Sequence, residues 1–219
     1  YVFVYGDGKL YRSTDGGKNF SEIYDSGVGG VDIVLSEPSN IYLAVNNDGI
    51  YRSTDNGDTF SKTGATIPGN ETIAFKVSPA NSDHIVLAQE VKLWNWPRYY
   101  TTDGGNNWEQ SEIDYTENAF FDWYQPRQAT FAWHPTDENK LWSIGGDFNT
   151  ISTDRGATYV WNNNGINNFA PAGKHNFNPY NSNLIYIAGV DKGGAFSKDG
   201  GYTWTKAQAN KKSYGGASS

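Results

Sequence analysis

SKDGGYTW, running from Ser197 to Trp204, decides the fold because four other octets match it without a gap. These are STDGGKNF (Ser13 to Phe20), STDNGDTF (Ser53 to Phe60), TTDGGNNW (Thr101 to Trp108) and STDRGATY (Ser152 to Tyr159). The shared pattern is Ser/Thr-x-Asp-x-Gly-x-x-aromatic. Its aspartates, Asp15, Asp55, Asp103, Asp154 and Asp199, are 40, 48, 51 and 45 residues apart. A single octet of this kind is a coincidence, whereas five in register are a structural repeat, and a period of roughly 20 to 50 residues marks a solenoid, a propeller or an array.

The flanks repeat as well. A strand ending near a proline precedes each later octet, as in VDIVLSEP, IAFKVSP, ATFAWHP and KHNFNP, which close at Pro38, Pro79, Pro135 and Pro179. A second strand follows (NIYLAV, HIVLAQ, KLWSIG, LIYIAG), then a third leading into the octet (GIYRS, RYYTT, NTIST, GAFSK). The octet's aromatic opens a fourth, as in TFSKT and NWEQS. Four short strands per unit, each unit unable to bury both its faces alone, predict an all-β propeller of four-stranded blades. The blades run approximately over 1–26, 27–64, 65–112, 113–163 and 164–210, with a tail at 211–219, in one propeller region covering 1–219.

The octet has a physical reason for its residues. It reads as a hairpin turn in which the aspartate accepts turn backbone N–H groups, the Ser/Thr hydroxyl adds a local bond, and glycine takes a positive φ. The terminal aromatic is expected to pack between neighbouring blades. On this reading the five aspartates are folding devices and not catalysts.

Composition agrees. Of 219 residues 16% are aromatic, with eight Trp, fifteen Tyr and 25 Gly, the makeup of short strands joined by tight turns. The absence of cysteine removes disulfides and thiolate metal sites, so packing must hold the chain. A net charge of −7 with scattered Lys and Arg leaves no basic stripe for nucleic acid. No stretch has the length and apolarity of a membrane-inserted helix. Tyr1-Val2-Phe3-Val4-Tyr5 lacks the basic flank of a signal peptide, and methionine is absent, so the reading expects any export signal to have been removed or to lie outside this sequence.

The octet resembles the Asp-box, or BNR, repeat of sialidases, of the xyloglucan-cleaving family 74 glycosidases, of sortilin-type receptors and of many secreted or phage proteins. The order of proline, Asn-x-x-hydrophobic and Asp box in NPYNSNLIYIAG…GGAFSKDGGYTW is closest in style to the family 74 blade. This resemblance implies an extracellular, cell-surface or virion-surface protein with a polysaccharide or glycan as partner. A sialidase would need three arginines on the sugar carboxylate and an Arg-Ile-Pro motif. The chain has only Arg12, Arg52, Arg98, Arg127 and Arg155, of which Arg12 and Arg52 precede boxes and Arg155 lies inside one, so sialidase activity is not expected. Family 74 enzymes set their cleft between two propellers with one catalytic Asp from each, which implies that a single ring supplies at most half a site.

The first repeat opens at its second strand, VFVYG. If Ser213 to Ser219 supplied the missing inner strand, the ring would close with five blades. That segment has one aromatic and little else apolar, which favours part of a larger ring.

Blade geometry places the Asp boxes with the proline turns on one edge. The hairpins between second and third strands and the connections between blades then share the other. Two of these are long and aromatic: QEVKLWNWPRYY carries Trp94, Trp96, Arg98 and Tyr99, and DYTENAFFDWYQPRQ carries Phe120, Phe121, Asp122, Trp123, Tyr124 and Arg127. Exposed rings with interspersed polar groups suit a pyranose, whose C–H face stacks on an aromatic while its hydroxyls bond to Asn, Asp and Arg. The alternative is that these rings fill space beneath the loop. NNNGINNFAPAGKHNF adds amides and His175, read as structural.

Glycoside cleavage needs two carboxyls about 5 to 10 Å apart. Candidates on the loop edge are Asp32, Asp48, Glu90, Asp122, Asp147 and Asp191. Asp7, Asp48, Asp147 and Asp191 occupy equivalent hairpin turns, where Asp is common. Asp122 stands outside that series among aromatics that would raise its pKa, making it the first catalytic candidate. His84, His134 and His175 lack ligand spacing, and calcium at Asp55 to Asp58 competes with the box role of Asp55, so no metal or other cofactor is expected. The reading is a glycan-recognising propeller, with a glycoside hydrolase part as its catalytic extension. A non-catalytic structural or adhesion module of a cell-surface or phage-tail assembly, contacting other subunits, is the alternative.

Overall fold

The computed structural model describes residues 1–33, 37–67, 72–89, 97–114, 130–145, 148–166, 171–189 and 193–207, and these contain strands, turns and no helix. The first unit comprises β1 (Val2–Gly6), β2 (Gly8–Ser13) and the first part of β3 (Ser21–Ile33). The second part of β3 pairs with β4 (Ile41–Val45), followed by β5 (Gly49–Ser53) and β6 (Ser61–Lys62). The third sheet holds β7 (Thr72–Val77), β8 (Ile85–Gln89), β9 (Arg98–Thr101) and β10 (Glu109–Gln110). After β11 (Glu112–Asp114) comes the fourth, β12 (Thr130–Trp133), β13 (Leu141–Gly145), β14 (Phe148–Ser152) and β15 (Thr158–Trp161). The fifth is β16 (Pro171–Asn178), β17 (Asn181–Gly189), β18 (Gly194–Ser197) and β19 (Thr205–Ala207).

Each unit is an antiparallel meander whose register follows the repeat: Ile41 faces Ser53, Ile85 faces Thr101, Leu141 faces Ser152 and Ile185 faces Ser197. Innermost strands lie side by side, β3 beside β7, β7 beside β12 and β12 beside β16, so the sheets radiate as the blades of a β-propeller. Two departures from four separate strands per unit occur. β3 runs unbroken from the outside of the first unit to the inside of the second, and its register shift near Val28 takes up the change of partner. β11 leaves the third sheet and lies parallel to β15, sealed by Glu112 N–H donating to Ala157 C=O at 2.8 Å.

The core lies between sheets. Alternation sends one side of each second strand forward and the other back. Tyr42 and Ile50 therefore meet Ile85 and Leu87 of the next sheet, Val86 meets Leu141 and Tyr159, and Trp142 meets Ile185, Ile187 and Trp204. Because both sides are covered, the second strands β4 and β8 are buried along their whole length.

Candidate functional site

The box edge is built the same way five times. The Ser or Thr opening each octet is buried, and its hydroxyl donates to the box aspartate at 2.7–2.8 Å while accepting the N–H of the position-five glycine at 2.8–3.1 Å. The same carboxylate oxygen accepts the backbone N–H of position seven at 2.9–3.0 Å. Its second oxygen takes the side chain of that residue: Asn19 at 2.8 Å, Thr59 at 2.6 Å, Asn107 at 2.7 Å and Thr203 at 2.5 Å. Sequence reading had no role for position seven, although Asn or Thr stands there in all five octets.

Hydrogen bonding stabilises the ionised carboxylates. Asn19 and Thr59 hold Asp15 and Asp55 below the usual carboxylate range. The Asn107 amide leads in bringing Asp103 to about 2. At Asp199 partial burial pushes upward, and the bonds from Thr203 and Ser197 outweigh it to leave about 2. The backbone turns through two left-handed residues, position four at φ between 59° and 78° and the position-five glycine between 85° and 95°. In the last four boxes the position-four N–H donates to the carbonyl of Ser39, Asp83, Asn139 or Asn183 at 3.0–3.2 Å, tying the box to the proline-side turn of its own blade. The two kinds of turn therefore share an edge, as the repeat order required.

At the opposite edge Asp7 occupies its hairpin at φ 54°, and the Asp48 hairpin turns through Asn47 at φ 58°. Lys62 and the Tyr51 hydroxyl lower the Asp48 pKa, which keeps this carboxylate ionised and unsuited to donating a proton. Asp32 is buried within β3, where it accepts Lys76 of the next sheet and the Val77 N–H at 2.8 Å, so it clamps two inner strands together. Arg98 is buried at the start of β9, its guanidinium 4.8 Å from the centre of the Tyr159 ring, and Tyr99 is half-buried against the core between the second and third sheets. Trp94, Trp96, Phe120, Phe121, Asp122, Trp123, Tyr124 and Arg127 lie outside the described residues, as do Glu90, Asp147 and Asp191.

His175 is fully enclosed, and burial lowers its pKa to about 3, so the imidazole is neutral. It bonds Asn149 Oδ1 at 2.9 Å, Asn149 donates to Asn162 C=O at 3.0 Å, and Asn162 accepts the Trp204 indole N–H at 3.2 Å while donating to Gly201 C=O. This chain of buried polar groups joins the fourth sheet to the fifth. Sequence reading placed His175 correctly as structural and missed its partners, because Asn149 and Asn162 look like ordinary loop asparagines. The His134 ring accepts the N–H groups of Thr136 and Asp137, which caps the proline turn. Among the described residues no three His, Asp or Glu side chains are placed to hold one metal ion.

The Sortilin-Vps10 family model (Sortilin, neurotensin receptor 3) matches residues 8–143 and again residues 48–175. The chain belongs to the Sortilin-Vps10 family. The two matches start 40 residues apart, the spacing of Asp15 and Asp55, so one model has been laid on the repeat in two successive phases. No curated protein is a significant sequence match to this Sortilin-Vps10 chain. Among solved structures it is similar to the Niastella koreensis GH74 enzyme, at TM-score 0.61 and 19% identity over 81% of this chain and 24% of that one. It is also similar to an ancestral GH74 enzyme, at 0.66 and 14% over 91% and 28%. A third similar structure is YCF48 bound to D1 peptide, at 0.59 and 18% over 90% and 61%. These likenesses establish the propeller fold, and the chain spans about a quarter of the length of the two GH74 enzymes.

Proposed function

We propose that this chain is a secreted or surface-displayed propeller that recognises a glycan, with the loop edge as its binding surface. The observation that carries this reading is the division of labour between edges. Every polar group of the box edge described above is consumed by its own turn or by the adjacent proline turn. The loop edge is where the repeat varies, and it is where the sequence concentrates Trp94, Trp96, Phe121, Trp123 and Tyr124 with Asp122 and Arg127. Rings and interspersed polar groups of this kind fit a stacked pyranose. The likeness to GH74 enzymes supports a polysaccharide as ligand, and Asp122 is the carboxyl to examine for hydrolysis.

Retention on gels containing xyloglucan, or binding across a glycan array, tests the reading. Trp96→Ala and Trp123→Ala are each expected to weaken retention about tenfold or more, since one stacked ring contributes on the order of 1 to 2 kcal/mol. Unchanged retention in both variants would remove the platform. The second reading, a non-catalytic module that binds protein, is favoured by the likeness to YCF48, which was solved with a peptide. Peptide or protein capture by the same edge, without glycan retention, would select it.

A further inference from the structure

The first and last sheets each have one bare face, and the repeat shows what belongs there. Pairing with the first residue of the box makes Val2 and Val4 the equivalents of Ile41 and Leu43, which point back at the preceding sheet. Leu43 is 0% exposed whereas Val4 is 49% exposed. Phe20, the aromatic of the first box, is also exposed, while its equivalents Tyr159 and Trp204 are buried against the sheet before them. At the other end Tyr186 is equivalent to Tyr42, which points forward at the next sheet. Tyr42 is 3% exposed and Tyr186 is 45% exposed, with Leu184 exposed beside it.

These faces are the two halves of one interface. Inside the molecule the forward residue of each second strand sits on the box glycine of the following sheet: a Cβ on Gly156 would lie 2.8 Å from Val86, and one on Gly201 would lie 2.5 Å from Trp142. Gly17 has the same left-handed backbone, and its nearest neighbours are only Val2 and Phe20 of its own sheet. The seat that receives Val86 and Trp142 elsewhere is therefore open at the first box, and the side chain that would fill it is bare on the last sheet.

We propose that the Tyr186 face docks onto the Val2, Val4 and Phe20 face of a second copy of this chain, head to tail, with Tyr186 seated on Gly17. The argument for a second copy is that both mates are on every molecule and do not meet within it, and that four internal junctions already show the same surfaces packing together. Such a contact is heterologous, so it builds a closed ring or an open row of copies.

Sedimentation velocity over a concentration series of the 219-residue chain tests this. The mass is expected to rise above one copy with concentration. Tyr186→Glu and Val4→Glu, both surface positions in the isolated molecule, are each expected to weaken association on the order of a hundredfold by putting an unpaired charge into the apolar seat. Leu184→Lys gives an independent probe of the same face. An equal mixture of Tyr186→Glu and Val4→Glu is expected to assemble and stop at two copies, because each variant retains the face that the other has lost. Single-copy mass at every concentration would overturn the proposal, as would assembly that survives both substitutions. A single-copy protein whose melting temperature falls in Tyr186→Glu would overturn it too, showing that the face is covered from within one molecule.

Discussion

The two edges of this propeller use much the same residues, Asp, Asn, Gly and aromatics, for opposite ends. At the box edge five turns of different sequence converge on one hydrogen-bond pattern, and the buried member is the Ser or Thr hydroxyl, with the aspartate reaching outward from it. At the loop edge no common pattern recurs: Asp48 binds Lys62, Asp32 clamps β3 to β7, and Arg98 stacks on Tyr159. A repeat under one structural constraint keeps its chemistry constant, and an edge free of that constraint can diverge toward a ligand.

The sharpest way to break this contrast is at the box glycines. Gly201→Ala puts a methyl group 2.5 Å from the Trp142 indole at φ 85°, and about 3 kcal/mol of destabilisation is expected in denaturant melts. Gly16→Ala has a similar φ of 78° but nothing within 4 Å, so about 1 kcal/mol is expected. Equal losses at the two positions would mean that turn conformation alone, without the fit to the preceding sheet, fixes the residue.

Thr101→Val tests the hydroxyl as the buried centre of the turn. It removes the donor to Asp103 and the acceptor for the Gly105 N–H in one isosteric change, and a loss of about 2 kcal/mol is expected. A loss below about 0.5 kcal/mol would show that the carboxylate, still bonded to Asn107, holds the turn without it.

His175 marks where structure ends and the loop edge begins. Burial holds its folded pKa at about 3 against an ordinary 6.5, so below pH 6.5 the unfolded chain binds a proton that the folded chain refuses. Stability from this group is therefore complete above about 6.5 and is lost progressively down to about 3, with the depressed His84 and His134 acting in the same direction. The Asp103 and Asp199 carboxylates lose their contribution only later, between 3.8 and about 2. His175→Gln is expected to flatten the decline between pH 6 and 4 by about 1 kcal/mol per pH unit. An unchanged slope would mean that the ring becomes protonated in the folded protein.

Legibility in the sequence follows the same division. The octets, the alternating strands and the proline turns set the order of elements, the shared edge of box and proline turn, and the packing of Trp108, Tyr159 and Trp204 against the preceding sheet, because each rests on local backbone chemistry repeated five times. The continuous β3 was not legible, since DSGVGG between Asp25 and Gly30 reads as a turn and forms strand through a register shift. Nor was the His175, Asn149, Asn162 and Trp204 chain, whose members are brought together by two sheets and share no local pattern. Arg98 illustrates the limit at the candidate site: its place beside an aromatic loop suggested ligand contact, and its contact with Tyr159 depends on a strand about 60 residues away.

The central claim, that one edge builds the propeller and the other recognises its ligand, is tested most directly by measuring xyloglucan-gel retention and melting temperature together for Asp103→Ala and Asp122→Ala. Asp103→Ala is expected to melt earlier and, while folded, to be retained as the parent is. Asp122→Ala is expected to melt as the parent does and to lose retention. Loss of retention in Asp103→Ala with its melting temperature unchanged would contradict the assignment of the two edges, and with it the site proposed on the loops.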